Sequence, residues 1–371
     1  MMLAGYATPE GTRRYADRFQ EAAASHFRDA GGLRLSSIGV GTYLGDADDS
    51  TDASYAAAIR RALSLGCNVV DTAINYRCQR SERAIGAALR EAISAGDMAR
   101  EEIFISTKGG FIPFDSTPPN DPPAYFELTF VDTGVLQPAD LVAGCHCMTP
   151  GFLEHQVERS RQNLGLETID LYYLHNPETQ LSATDLATVY SRLQGAFEAL
   201  EELVQRGWLR GYGVATWEAL RADQTGRPYL SMQEIDRLAR RAGGAGNRFQ
   251  AIQLPVNLGL PEAFAHPNQP VGDETLPALA AARRLGITAF ASGSLHQGKL
   301  LGRIPPWLRQ NLGSEATDAQ RALQFARSCP GLTTALVGMA SVEHVEENLA
   351  LVGVPPLGLE ELEAVLQPPH E

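Results

Sequence analysis

The feature that most constrains this chain is a repeated pairing: eight times, a short continuous apolar run is followed by a stretch with helical spacing. The runs are "SSIGVGT" (36–42), "CNVVDT" (67–72), "IFISTK" (103–108), "IDLYYLH" (169–175), "LRGYGVA" (209–215), "QAIQLP" (250–255), "GITAFAS" (286–292) and "TTALVG" (333–338). Unbroken apolarity, rather than alternation, marks strands covered on both faces, and such strands belong to parallel sheets wrapped by helices. The segments between them, among them "SYAAAIRRALSLG" (54–66), "FLEHQVERSRQNLG" (152–165) and "LQGAFEALEELVQRGW" (193–208), carry apolar residues at helical spacing, with glycine at several exits. An open, doubly wound sheet uses the same alphabet. A count of eight, with no G-x-G-x-x-G turn after the first strand, favours an α/β closed (β/α)8 TIM barrel.

Two segments stand outside the repeat. Residues 9–29 read as one helix ahead of the first strand, a candidate cap for the bottom of the barrel. The chain therefore divides into an N-terminal helical extension (1–32) and a single barrel domain (33–371). Residues 109–150 form a long Pro-rich insertion after the third strand, at the end where barrel active sites lie, and loops of that length are usually functional. The apolar content of "FIPF" and "AYFELTF" suggests a pocket partly closed by hydrophobic side chains; the same residues would also suit a protein interface.

Composition bounds the partners. A net charge of -13 argues against a nucleic-acid or anionic-membrane surface, because a polyanion would be repelled over most of the protein. The first residues hold no apolar core of signal-peptide length, and no run reaches the ~18 apolar residues of a membrane span, so a cytoplasmic protein is expected. Five cysteines at irregular spacing fit reduced thiols. Oligomeric state is left open by these features.

Residues just past the strands of a barrel converge on one mouth. Asp71 ends the second run, with Tyr76 in the turn that follows; Lys108 ends the third and His175 the fourth. Singly, each has an ordinary reading: a helix N-cap, a packed aromatic, a solvated charge, a structural histidine. Together they make an acid-base set. A phenol with a pKa near ~10 becomes a better proton-transfer group when an ammonium lies beside it, a buried ammonium needs a carboxylate, and an imidazole donates a hydrogen bond to a carbonyl.

The set Asp71, Tyr76, Lys108 and His175 resembles the catalytic tetrad of the aldo-keto reductase superfamily. Blocks in the same order strengthen the likeness: "VGTYLG" (40–45), "NVVDTAINYRCQRSERAIGAAL" (68–89), "ISTKGG" (105–110), "IDLYYLHNPE" (169–178), "RGYGVATW" (210–217), "AIQLPVNL" (251–258) and "LVGMASVEHVEENLAL" (336–351). The resemblance implies an oxidoreductase that interconverts a small aldehyde or ketone and its alcohol, with Tyr76 as acid/base and NADP(H) preferred, NAD(H) possible. It places Thr42 and Tyr43 beside the cofactor, and Thr216 and Gln253 at the nicotinamide carboxamide. Ser292, Gly293, Leu295, Gln297, Lys299 and Arg303 would lie along the pyrophosphate. Gly338, Ala340, His344, Glu347 and Asn348 would hold the adenosine end. The rival that the same resemblance implies is a nucleotide-sensing regulatory subunit with little turnover, like the potassium-channel β-subunits.

Some positions depart from the pattern. Ala215-Thr216 stands where Ser-Asn or Ser-Arg is usual, and Ala291 aligns with the aromatic that stacks on the nicotinamide. Either another aromatic replaces it, with Tyr125 or Phe126 of the insertion as candidates, or the cofactor is held more loosely. No basic residue for a 2′-phosphate stands near the eighth strand. "CHC" (145–147) is too compact for three ligands on one ion, so no metal is expected, and Cys145, His146 and Cys147 should instead shape the substrate pocket. "DADD" (46–49) reads as a solvated helix start.

Overall fold

A computed structural model describes residues 2–312, 317–365 and 367. Twelve strands lie among them: β1 (Phe27–Ala30), β2 (Leu33–Ser36), β3 (Ile38–Gly41), β4 (Val69–Asp71), β5 (Phe104–Gly109), β6 (Leu171–His175), β7 (Tyr212–Ala215), β8 (Phe249–Pro255), β9 (Pro267–Val271), β10 (Glu274–Pro277), β11 (Thr288–Ser292) and β12 (Leu332–Gly338). Eight of them, β3 to β8 with β11 and β12, close into a parallel barrel in sequence order. Each coincides with one of the eight apolar runs, so the (β/α)8 expectation holds.

The physical reason for those runs is visible in the alternation along the strands. Val69, Phe104, Leu171, Tyr173, Ala215, Ala251, Phe290 and Leu336 pack together in one cluster inside the barrel, where Phe104 and Phe290 stack at 5.8 Å. Their sequence neighbours Val70, Ile105, Tyr172, Val214, Ile252, Ala291 and Val337 join the larger core under the helices. Both faces of the barrel strands are dry over most of their length, which is why the runs show no polar alternation.

Helices fill the crossovers, including Asp49–Ser64, Arg80–Ser94, Pro150–Leu164, Leu186–Gln205, Met232–Gly243 and Asp318–Ser328. Asp48 caps the first of these by accepting from the Thr51 amide, as "DADD" suggested. Gly165 ends Pro150–Leu164 in the left-handed conformation that a C-cap requires.

The N-terminal extension differs from expectation. Its helix covers only Pro9–Ala16, and the chain then turns into the antiparallel hairpin β1–β2, reversing at Gly31 (φ +60°) and Gly32 (φ +87°). Tyr15, Phe19 and Phe27 explain the reversal: the three rings pack against one another, which a continuous helix through residue 29 would prevent. Leu35 of the hairpin and Ala7 join the interior cluster, so the bottom of the barrel is closed by hairpin side chains rather than by a helix.

Residues 109–150 build a small core together with Phe152 of the helix that follows. Phe130, Leu136, Cys147 and Phe152 are buried there, with Tyr125 and Phe126 packed against them. Those two aromatics are therefore spoken for, and the expectation that one of them lies at the cofactor is not met.

Candidate active site

The C-terminal ends of the strands surround a cleft of about 740 Å³, within the ordinary range for a small-molecule site. Asp71, Tyr76 and His175 line it, and Lys108 lies buried beside them. The parallel register explains the convergence: Asp71 pairs with Ser106 and Lys108 with Tyr173, so side chains at i and i+2 on adjacent strands share the inner face.

Lys108 is clamped. Its Nζ donates to Asp71 Oδ2 at 2.5 Å and to the Thr72 carbonyl at 2.7 Å. The other Asp71 oxygen accepts from Ser106 Oγ at 2.7 Å and from Gln253 Nε2 at 2.9 Å. Burial alone would lower the ammonium's pKa; Asp71 and Tyr76 outweigh it and leave the pKa raised, so Lys108 stays charged.

The phenol departs in part from expectation. Burial raises the Tyr76 pKa; Lys108 pulls it down as anticipated, but burial prevails and the net shift is upward. Tyr76 is thus held protonated, the form that a proton donor needs. Its ring lies 5.0 Å from the Lys108 ammonium and meets Tyr43 edge-on at 4.9 Å.

His175 is neutral: burial, with Lys108 and His146 nearby, holds it well below the usual imidazole value. Its Nδ1 is buried without a partner. An unpaired lone pair there costs less than an unpaired N–H, so the proton is assigned to Nε2, as a donor.

Directly after Tyr76 the backbone is strained. Arg77, Cys78 and Gln79 all adopt positive φ (49°, 55° and 68°), which costs roughly 1–2 kcal/mol for each non-glycine residue. The Arg77 guanidinium pins the turn, donating to the Asp46 carbonyl at 2.8 Å and to Asp52 Oδ1 at 2.6 Å.

Of the other expected positions, Thr42, Tyr43, Gln253, Ser292, Gly293, Leu295, Gln297, Gly338, His344, Glu347 and Asn348 line the cleft. Thr216 is buried at the end of β7. Thr216, Lys299, Arg303 and Ala340 are not among the lining residues. The Thr216 and Ser294 hydroxyls and the Asn348 carbonyl oxygen are buried without protein partners. Native structures leave few such atoms, and these fit a long polar ligand.

The aligned aromatic position also resolves differently. Ala291 faces outward into the helical layer, because the strand alternates and Phe290 already points inward. Ser292 is the inward residue at the mouth. The aromatic wall comes instead from Phe111 and Trp217, which sequence reasoning did not select. Trp217 is 38% exposed, yet both ends of its peptide are held: Glu178 Oε1 accepts from its amide at 2.7 Å, and Arg221 Nη2 donates to its carbonyl at 2.9 Å. A side chain built on Gly293 would stand 3.7 Å from the indole, so Trp217 lies over the end of β11.

The sequence model of the Aldo/keto reductase family matches residues 37–239. The chain belongs to that family. Among curated relatives, the D-threo-aldose 1-dehydrogenase of a Pseudomonas species is 30% identical over 160 residues, 43% of each chain. The mouse aldo-keto reductase family 1 member C13 is 25% identical over 195 residues, 50% of this chain and 48% of its own. The chain spans about half the length of these curated relatives. Likeness in fold reaches further. An aldo/keto reductase from Klebsiella pneumoniae, solved with NADP and acetate, superposes with a TM-score of 0.62 at 20% identity, covering 92% of this chain and 94% of that one. The holo form of aldo-keto reductase AKR11C1 from Bacillus halodurans gives 0.63 at 20% identity, covering 92% and 95%.

Proposed function

We propose that this aldo/keto reductase interconverts an aldehyde or ketone and its alcohol, using NADP(H) in preference to NAD(H). One observation carries the reading: Asp71, Lys108, Tyr76 and His175 form a continuous buried network that opens on a cleft with unpaired polar atoms. The complex of the Klebsiella pneumoniae relative with NADP supports the cofactor assignment.

Gln253, with the unpaired hydroxyl of Thr216 behind it, would take the carboxamide, the segment from Ser292 to Gln297 the pyrophosphate, and Gly338, His344, Glu347 and Asn348 the adenosine end. Bound there, a reduced nicotinamide would supply hydride to the carbonyl carbon. The residues do the rest. Tyr76 gives its hydroxyl proton to the carbonyl oxygen, and Lys108, paired with Asp71, stabilises the phenolate left behind. His175 donates from Nε2 to the same oxygen and aligns it. Trp217 offers a flat wall for the nicotinamide. No helix among the described residues is long and apolar enough to cross a membrane. All five cysteines are free, which supports a reducing, cytoplasmic setting.

The test is to titrate the protein with NADPH and NADH by tryptophan fluorescence, then add small aldehydes and ketones while following cofactor absorbance. Tight binding with carbonyl-dependent oxidation is expected. Binding without oxidation by any carbonyl would favour a nucleotide sensor instead.

A further inference from the structure

The "CHC" tripeptide returns from the far end of the insertion to the base of the catalytic histidine. Phe111 pairs with His146 in an antiparallel bridge, and the Cys147 amide donates to the Gly110 carbonyl at 2.8 Å, so the two arms of the 109–150 loop zip together. His146 and Cys147 are driven fully inside, Cys145 is half-buried, and the Cys147 thiol contacts Thr149. Among the described residues no cluster could hold a metal ion.

The direction of the hydrogen bonds around His146 is determined by Arg192, which can only donate. Arg192 donates to Gln180 Oε1, so the amide nitrogen of Gln180 faces His146 Nδ1, at 2.7 Å. Nδ1 is therefore the acceptor, and the ring proton sits on Nε2. That Nε2 lies 2.8 Å from the backbone carbonyl of His175. His175 is the last residue of β6, and β5 has paired only as far as Gly109 with Leu174, so the sheet supplies no donor from that side. Space is tight as well: a side chain at Gly110 would come within 2.8 Å of His146 Nε2. Phe111 closes the arrangement, its ring edge-on to His146 at 5.0 Å and to His175 at 5.1 Å.

We propose that His146 is a positioning residue. Through the Arg192–Gln180–His146 relay it holds the end of β6 so that the His175 ring stands beside Tyr76, which makes the insertion part of the catalytic apparatus. This rests on the reductase reading above. Contrary to the expectation that Cys145, His146 and Cys147 shape the substrate pocket, none of them lines the cleft, and the effect of His146 should appear in the chemical step alone.

Two substitutions separate positioning from packing. His146→Gln keeps an N–H at a similar reach, whereas His146→Leu keeps bulk and removes the donor. His146→Leu is expected to lower kcat about tenfold to a hundredfold, the scale of a small misplacement of a reacting group. Its NADPH affinity by fluorescence should stay within about twofold, and His146→Gln should recover most of the loss. Should His146→Leu not fold, Arg192→Met tests the other end of the relay, with a several-fold fall in kcat at unchanged NADPH affinity. Unchanged kcat in either variant, or equal losses in the Gln and Leu variants, would overturn the proposal while leaving the reductase standing. A native protein that binds NADPH yet reduces no carbonyl would overturn both.

Discussion

The barrel carries a buried ion pair at each end, and the two are put to opposite uses. At the bottom, Arg100 and Asp170 meet at 2.7 Å with side chains 4% and 2% exposed; at the mouth, Lys108 and Asp71 meet at 2.5 Å, 1% and 6% exposed. The partners differ. Asp170 accepts from the Ala7 amide at 2.6 Å and the Ile105 amide at 2.8 Å, and Arg100 donates to the Ile103 carbonyl at 2.6 Å, so that pair staples backbone to backbone. Asp71 instead gathers side chains from β5 and β8, and its lysine stands beside a phenol that opens on the cleft. Similar charges at similar burial make a staple at the strand starts and, at the strand ends, a pair set beside a phenol at the cleft, where the proposed proton transfer would take place. Strand polarity decides which, because only the C-terminal ends meet at an open mouth.

Substitution at each end should therefore fail in a different assay. Lys108→Met is expected to lower turnover by about a hundredfold or more while the protein still binds NADPH, since the charge that stabilises the phenolate is gone. Retained turnover would remove Lys108 from the chemistry. At the other end, Asp170→Asn leaves the buried Arg100 unpaired and should cost about 3–5 kcal/mol in urea unfolding, with kcat of the folded fraction unchanged. A fall in kcat there would mean that the staple also shapes the mouth.

A second pair of groups extends the contrast to pH. His26 near the bottom and His146 near the mouth are both held neutral, with pKa values of about 4, chiefly by burial. In each, a carbonyl lies 2.8 Å from Nε2: that of Gly66 for His26, and that of His175 for His146. Their folded values lie below the unfolded value near 6.5. The unfolded chain thus takes up protons first as pH falls, and stability present above 6.5 is lost between about 6.5 and 4, on the order of 3 kcal/mol for each histidine. Unfolding midpoints across that range should drop steeply, and His26→Gln should flatten the slope without changing kcat. The smallest effect belongs to the mouth. Trp217→Ala should weaken NADP⁺ binding by about threefold to tenfold, the worth of an aromatic stack, and leave binding of 2′,5′-ADP, which lacks the nicotinamide, unaltered. Equal losses for both would make Trp217 a structural residue only.

What was legible in the sequence follows the same division. The eight strands could be read because each is buried on two faces, and the meeting of Asp71, Tyr76, Lys108 and His175 at one mouth because strand ends converge whatever the crossovers do. Phase was harder. Aligning Ala291 with a stacking aromatic was out of step with the strand's alternation, which turns Phe290 and Ser292 inward. Trp217 sat unremarked at the end of "RGYGVATW", because nothing local signals that Glu178 and Arg221 hold its peptide from other segments. The N-terminal helix was read too long because its aromatics suit a helical stripe as well as they suit the turn that packs them. "CHC" marks His146 in the sequence, but its proposed role does not follow from that tripeptide: it depends on an insertion folding back across residues 110 to 147.

The central claim is that Tyr76 is the proton donor in a working reductase. It is tested most directly by mixing the NADPH complexes of the native protein and of Tyr76→Phe with a reactive aldehyde and following cofactor absorbance in a single turnover. The account predicts rapid oxidation in the native protein and a rate ~10²–10⁴-fold lower in the variant, with NADPH affinity nearly unchanged. Equal rates in the two proteins would contradict it.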